Sequence, residues 1–212
     1  MTTKTRPSQI TLASSKALFS TPLLVFKLPD HERLNVALEG DALELKALEP
    51  GKTKSNQGGW HSETDIFERD IASFLELRDA VRQAVVTASR KVLPTPAPEE
   101  MKMIFTAWVN INGTGSFNAP HNHPNSHWSG SYYVKVPEGT GMRSGDIEFL
   151  DPRGDVRAMS LPDGEPFGPK LRIRPEPGFL LMFPSYLHHW VYPNQEPEDR
   201  ISIAFNVKLV TK

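Results

Sequence analysis

What most limits the fold of this chain is its punctuation between Met103 and Val210. The stretches "MIFTAWVNIN", "WSGSYYVKV", "GDIEFL", "KLRIRPEPGFLLMF", "HHWVYP" and "RISIAFNVKLV" are rich in β-branched and aromatic residues, and clusters of Gly, Pro, Asn and Asp separate them. Runs broken this often cannot become long helices, because each proline removes a backbone donor and clashes with the preceding turn. They suit strands that pair and turn back, so the spacing predicts a β-sandwich or jelly roll over residues 99–212. The 19 prolines and 14 glycines fit the same reading.

The first half has another texture. "LLVFKLP" (Leu23–Pro29) reads as an early strand. Asp30–Glu49 reads as a helix with Asp30 as N-cap and Leu34, Leu38, Leu45 and Leu48 at helical spacing, weakened by Gly40. Gly51–Glu63 has the composition of a loop. The strongest helix is Asp65–Leu93, where Phe74, Leu77, Val81, Val85, Ala88 and Val92 form an apolar stripe suited to packing on a sheet. A break near Ser73 would divide it, and Pro94 stops it before a stiff linker, Pro94–Glu100. The expected plan is one compact unit, mainly β with N-terminal helices. A strand and helices over residues 1–98 pack on a β core over 99–212, and the first 16 or so residues fray.

Composition narrows the function. A formal net charge of -1 lacks the clustered basic excess that a nucleic-acid partner needs. The absence of cysteine excludes disulfides, thiolate metal sites and cysteine nucleophiles. With no long apolar run and no signal-like N-terminus, the sequence points to the cytoplasm and to no membrane partner. The helical first half is a candidate surface for pairing two chains into a homodimer.

The histidines are unevenly placed. Of seven, three lie within "HNHPNSH" (His121, His123, His127) and two are adjacent at His188 and His189. Side chains two apart on an extended chain point the same way, so His121 and His123 can share a target. Neutral imidazole is the commonest protein ligand for iron, zinc, copper and nickel. Further on, "RISIAFNV" puts Ile201, Ile203, Phe205 and Val207 on one face and Arg200, Ser202, Ala204 and Asn206 on the other. A guanidinium beside a hydroxyl is an anion socket, the guanidinium offering a planar fork to a carboxylate. A metal ligand and a carboxylate receptor on neighbouring strands are what a chelating keto acid requires.

These motifs resemble those of the Fe(II)/2-oxoglutarate-dependent oxygenases, whose core is a double-stranded β-helix. "HHWVYP" followed by Arg200 resembles the prolyl-hydroxylase signature H-x-V-x-P with its cosubstrate-gripping arginine. That register selects His189 rather than His188, since Val191 and Pro193 fall in step with it. "SYYV" resembles the family's Tyr-Tyr-Leu strand, with Tyr133 as the tyrosine that bonds the cosubstrate carboxylate, and "SGDIEFLDP" resembles the strand that follows. More narrowly, residues 105–208 look like a little-characterised bacterial and phage subgroup. The resemblance implies Fe(II), 2-oxoglutarate as cosubstrate, O2, release of succinate and CO2, and hydroxylation of a small-molecule or peptide substrate. Arg200, Ser202 and Tyr133 would hold the far carboxylate, and Asn110 is a further cosubstrate contact.

One departure stands out. The superfamily uses His-x-Asp/Glu…His, whereas the proximal motif here is His121-Asn122-His123. The reading favours an all-nitrogen set of His121, His123 and His189, with Asp146, Asp151 or His127 as alternative ligands. Two rivals remain at this level: a three-histidine, cupin-like dioxygenase or zinc enzyme without 2-oxoglutarate, and a non-catalytic jelly-roll binding module. Arg153, Trp128, Trp190 and the loops 51–63 and 154–170 are candidates for the substrate mouth. His188 reads as packing or support for the ligands. His31 and His61 read as surface residues.

Overall fold

The computed structural model describes residues 14–15, 19–92, 101–139, 143–153 and 170–210. The predicted linker Pro94–Glu100, most of the N-terminal segment and nearly all of loop 154–170 lie outside the described residues. In chain order the elements are β1 (Leu24–Lys27), α1 (His31–Leu48), β2 (Asn56–Gln57), β3 (Trp60–His61), α2 (Ala72–Val92) and β4 (Lys102–Asn112). There follow β5 (Phe117–His121), β6 (Trp128–Lys135), β7 (Ile147–Leu150), β8 (Lys170–Ile173), β9 (Phe179–Pro184), β10 (His189–Val191) and β11 (Arg200–Val210).

The strands form two antiparallel sheets, in the orders β1-β9-β6-β11-β4-β3 and β2-β5-β10-β7-β8. This is a jelly roll, as the punctuation predicts, and the double-stranded β-helix that the family resemblance implies. Period-two alternation decides what each face of the larger sheet meets. In β11, Ile201, Ile203, Phe205 and Val207 join Val109 and Ile111 of β4 in the cluster that packs on the helices. From α1 that cluster takes Leu34, Leu38 and Leu45, and from α2 Phe74, Leu77, Val81, Val85 and Ala88. Two polar clasps tie the layers: Tyr132 Oη donates to Asn35 Oδ1 (2.6 Å), and Trp128 Nε1 donates to Ser89 Oγ (3.0 Å). Trp128 is thus a core residue and takes no part in a mouth.

The other face of the large sheet looks toward the small one. Tyr133, Leu181 and Phe183 meet Ile147, Phe149 and Val191 there. The polar side of β11 falls in this same inter-sheet space.

Several expectations are corrected in detail. Asp30 sits at the N-cap with φ 51° and makes no side-chain cap, so its carboxylate does not start the helix. Gly40 lies inside α1 without interrupting it, and a side chain there would meet open space. The second helix starts at Ala72, since Asp65 bridges Ala107 of β4 and its neighbours form turns. Val92, at its end, is 48% exposed and outside the buried stripe. The 51–63 stretch contains a two-strand crossing: β2 pairs with β5 of the small sheet and β3 with β4 of the large one. Gly58, at φ 74°, makes the turn between them.

Candidate metal centre

The register of the small sheet builds the metal end of the site. His189 opens β10 opposite His121, the last residue of β5, so two imidazoles face each other across a strand pair. His123 lies just past the end of β5, and its backbone N–H donates to the Ser185 carbonyl at 2.9 Å. Ring centroids are 4.4 Å apart for His121–His189, 4.9 Å for His121–His123 and 5.2 Å for His123–His189. Among the described residues, these are the histidine and acidic side chains whose donor atoms converge, all within 4.8 Å of one another.

Electrostatics favour neutral rings. Burial holds His123 and His189 down at about 3, and the adjacent His121 pushes both the same way. Burial also lowers His121. His121 Nδ1 donates to the Ala119 carbonyl (2.7 Å) and His189 Nδ1 to the Leu187 carbonyl (2.9 Å), which leaves each Nε2 bare. Neutral imidazoles are suitable donors for Fe(II), and two of the three have their tautomer fixed, so the set fits that ion.

The large sheet builds the anion end. Ser202 of β11 is registered with Tyr133 of β6 and with Asn110 of β4, one polar row across three strands. Arg200, one step along the same face, is 2% exposed, its Nη1 3.3 Å from Ser202 Oγ and its Cζ 5.1 Å from the Tyr133 ring. Burial lowers Arg200 and raises Tyr133 from their ordinary values. Tyr133 Oη, Arg200 Nε and Asn110 Oδ1 are buried with no hydrogen-bond partner. Unmet polar atoms of this kind cost stability unless a ligand satisfies them. One cavity is lined by the three imidazoles and by Asn110, Tyr133, Arg200 and Ser202 alike.

The other sequence candidates fall elsewhere. His127 is exposed and accepts the Leu209 backbone N–H through Nδ1 (3.0 Å). Asp146 faces Arg172 (3.4 Å), and Arg153 Nε reaches both oxygens of Asp151 (3.0 and 3.2 Å). His188 is exposed. Trp190 donates to Glu148 Oε1 (3.0 Å). His61 is not a surface residue: it is 3% exposed and stacks on Trp108 at 5.3 Å, and Trp108 lies 5.7 Å from His123. A separate cavity of about 320 Å³ beside β3 holds Lys46 and Lys52. Asp199 and Glu63 already pair with them.

The sequence reading missed Trp108 and Asn118 as lining residues. Trp108 carried a signal, since it alternates onto the same face as Asn110. Ser55 also lines the cavity and falls in the 51–63 stretch expected at the mouth.

A double-stranded β-helix with converging neutral imidazoles and a buried, partly unpartnered guanidinium in one cavity has the parts that a non-haem metal oxygenase needs. Residues 106–206 match the model of the family described as "Putative 2OG-Fe(II) oxygenase". This stretch, just under half of the chain, is similar to the 2-oxoglutarate-dependent, Fe(II)-dependent oxygenases, and the three-histidine group fits iron binding. No curated protein matches the sequence.

Solved structures share the fold at low identity. A Pseudomonas putida prolyl-4-hydroxylase superposes with a TM-score of 0.61 at 16% identity, covering 89% of this chain and 93% of its own. A Trichoplax adhaerens prolyl hydroxylase, in complex with a hypoxia inducible factor peptide fragment, gives 0.61 at 13%, covering 88% and 83%. HygX from Streptomyces hygroscopicus, with nickel, 2-oxoglutarate and hygromycin B bound, gives 0.60 at 13%, covering 89% and 83%. None of the described helices is long and apolar enough to cross a membrane.

Proposed function

We propose that His121, His123 and His189 hold Fe(II) through their Nε2 atoms, and that Arg200, Ser202 and Tyr133 grip the far carboxylate of 2-oxoglutarate. The guanidinium fork and two hydroxyls supply the donors a carboxylate needs, and Asn110 is placed to orient the same molecule. When bound, the iron would activate O2, one atom of which would enter succinate as 2-oxoglutarate loses CO2 and the other a C–H bond of the substrate. The chain's own share is to hold the rings neutral, aim the acid and exclude water. The substrate is a small molecule or peptide that enters past Ser55, Asn118 and Trp108.

The observation that carries this reading is the fully buried, partly unpartnered Arg200 in the same cavity as three neutral imidazoles. A metal enzyme that did not use a keto acid would have no need of that cation there.

The test compares metal content and succinate formation from 2-oxoglutarate in wild type, His189→Ala and Arg200→Ala. Loss of both in the first variant, and of succinate alone in the second, is expected. Undiminished succinate in either would overturn the assignment. His123→Asp adds the missing carboxylate and lowers the site's charge by one, so it should retain iron better and bind 2-oxoglutarate more weakly.

A further inference from the structure

Only two of the three imidazoles have their proton placed by a backbone carbonyl. His123 is different. Its Nδ1 faces Nδ2 of Asn206 at 3.4 Å. An amide nitrogen only donates, so in this orientation Nδ1 accepts and the neutral ring keeps its hydrogen on Nε2. A ring protonated there cannot offer Nε2 to an ion.

Behind the amide stands a chain of groups that can work in either direction. Asn206 Oδ1 accepts from Ser129 Oγ (2.7 Å), which lies 2.8 Å from Ser185 Oγ. Both serines are buried, at 0% and 1% exposure. Ser185 is also the residue whose carbonyl takes the His123 backbone N–H, so this chain and the backbone of His123 share one anchor. A hydroxyl donates or accepts by rotating, and a carboxamide turned over exchanges O for N in nearly the same volume. With the amide turned, His123 Nδ1–H donates to Oδ1, Nδ2 donates to Ser129 Oγ, and Ser129 donates to Ser185 Oγ. Nε2 is then bare, and all three positions of the chain remain satisfied.

We propose that Asn206, backed by Ser129 and Ser185, is a positioning residue that sets the tautomer of His123, and that metal binding reverses the direction of this hydrogen-bond chain. The proposal rests on His123 being a ligand. It makes His123 the adjustable member of the set, where His121 and His189 are fixed by carbonyls that cannot turn over.

The test uses the full chain with Zn(II) as the probe. Long-range ¹H–¹⁵N correlation spectra report which ring nitrogen carries the proton, and competition with a chelator reports affinity. In chelator-treated wild type, His123 should carry its hydrogen on Nε2, and with zinc on Nδ1, while His121 and His189 keep Nδ1–H throughout. Asn206→Asp, which only accepts, should show Nδ1–H in both conditions. Asn206→Leu should bind zinc about 10- to 100-fold more weakly, the usual effect of removing an orienting partner. If His123→Ala leaves zinc affinity unchanged, the ligand assignment itself fails. If His123→Ala weakens binding but His123 keeps one tautomer with and without zinc, the ligand assignment stands and the role of Asn206 falls. Should Asn206→Leu not fold, the wild-type and Asn206→Asp spectra still decide.

Discussion

At the scale of single residues, Arg200 carries a buried charge that is only partly compensated. Burial lowers its pKa, its Nε has no partner, and its nearest aromatic support is the Tyr133 ring. A carboxylate arriving in its fork would offset the cost of that burial, which explains why a sheet interior keeps such a group. Arg200→Lys separates charge from geometry: it keeps a cation and loses the planar pair of donors. Hydrogen bonds to charged groups contribute about 1.5–3 kcal/mol, so 2-oxoglutarate should bind about 10- to 100-fold more weakly. Zinc affinity should be unchanged, because lysine keeps the positive charge and none of the described hydrogen bonds joins residue 200 to an imidazole. Titration calorimetry with each ligand separately reads both quantities, and wild-type cosubstrate affinity in this variant would remove Arg200 from the site.

At the scale of elements, the turn before β7 shows how backbone conformation serves the site. Gly145 has φ 65°, and a Cβ built on it would lie 2.9 Å from Arg200 Cδ. Glycine here meets two demands at once, a left-handed turn and room for the arginine stem. Gly145→Ala should therefore cost roughly 1–2 kcal/mol from the left-handed conformation alone. It should also raise the KM for 2-oxoglutarate, as Arg200 is pushed off its position, while zinc affinity stays at the wild-type value. Urea unfolding and cosubstrate titration measure the two effects, and a variant that loses stability without any change in KM would show that the contact with Arg200 is dispensable.

The same element marks where sequence reading worked. Alternation in "RISIAFNV" placed Arg200 and Ser202 on one face, because a strand's side-chain period is independent of what it packs on. Tyr133, in register with Ser202, was marked instead by the family resemblance of "SYYV". Alternation also put Asn206 on that face without revealing its partner, since the pairing with His123 joins residues 83 apart in sequence. Elements of two residues, such as β2 and β3, lie below any periodic signal. His61 was misjudged for that reason: its burial comes from pairing with Asn110 and stacking on Trp108, both remote in sequence.

At the scale of the whole molecule, the buried histidines set a pH dependence whose sign follows from their direction of shift. Folding holds His123 and His189 at about 3, below their ordinary 6.5, chiefly through burial. His121 and His61 are lowered for the same reason. In the unfolded chain these rings take up protons as the pH falls through about 6.5, whereas the folded chain does not charge His123 and His189 until about 3. The unfolded state therefore binds more protons across that window, and stability falls as the pH is lowered through it. Glu148, lowered on balance by its bonds to Lys170, Tyr192 and Trp190 despite burial, adds to the acid loss. Asp146, raised by burial, acts the other way. Thermal unfolding of chelator-treated protein should show a midpoint that drops between neutral pH and about pH 4, with the steepest loss below the ordinary histidine value. Replacing His123 and His189 together with phenylalanine should flatten that slope. Zinc should steepen it, because an ion bound to neutral imidazoles stabilises the folded state and is displaced by the same protons. An acid slope that is identical in wild type and the double variant would mean that His123 and His189 are not held neutral by the fold, and the metal site would lose its electrostatic basis.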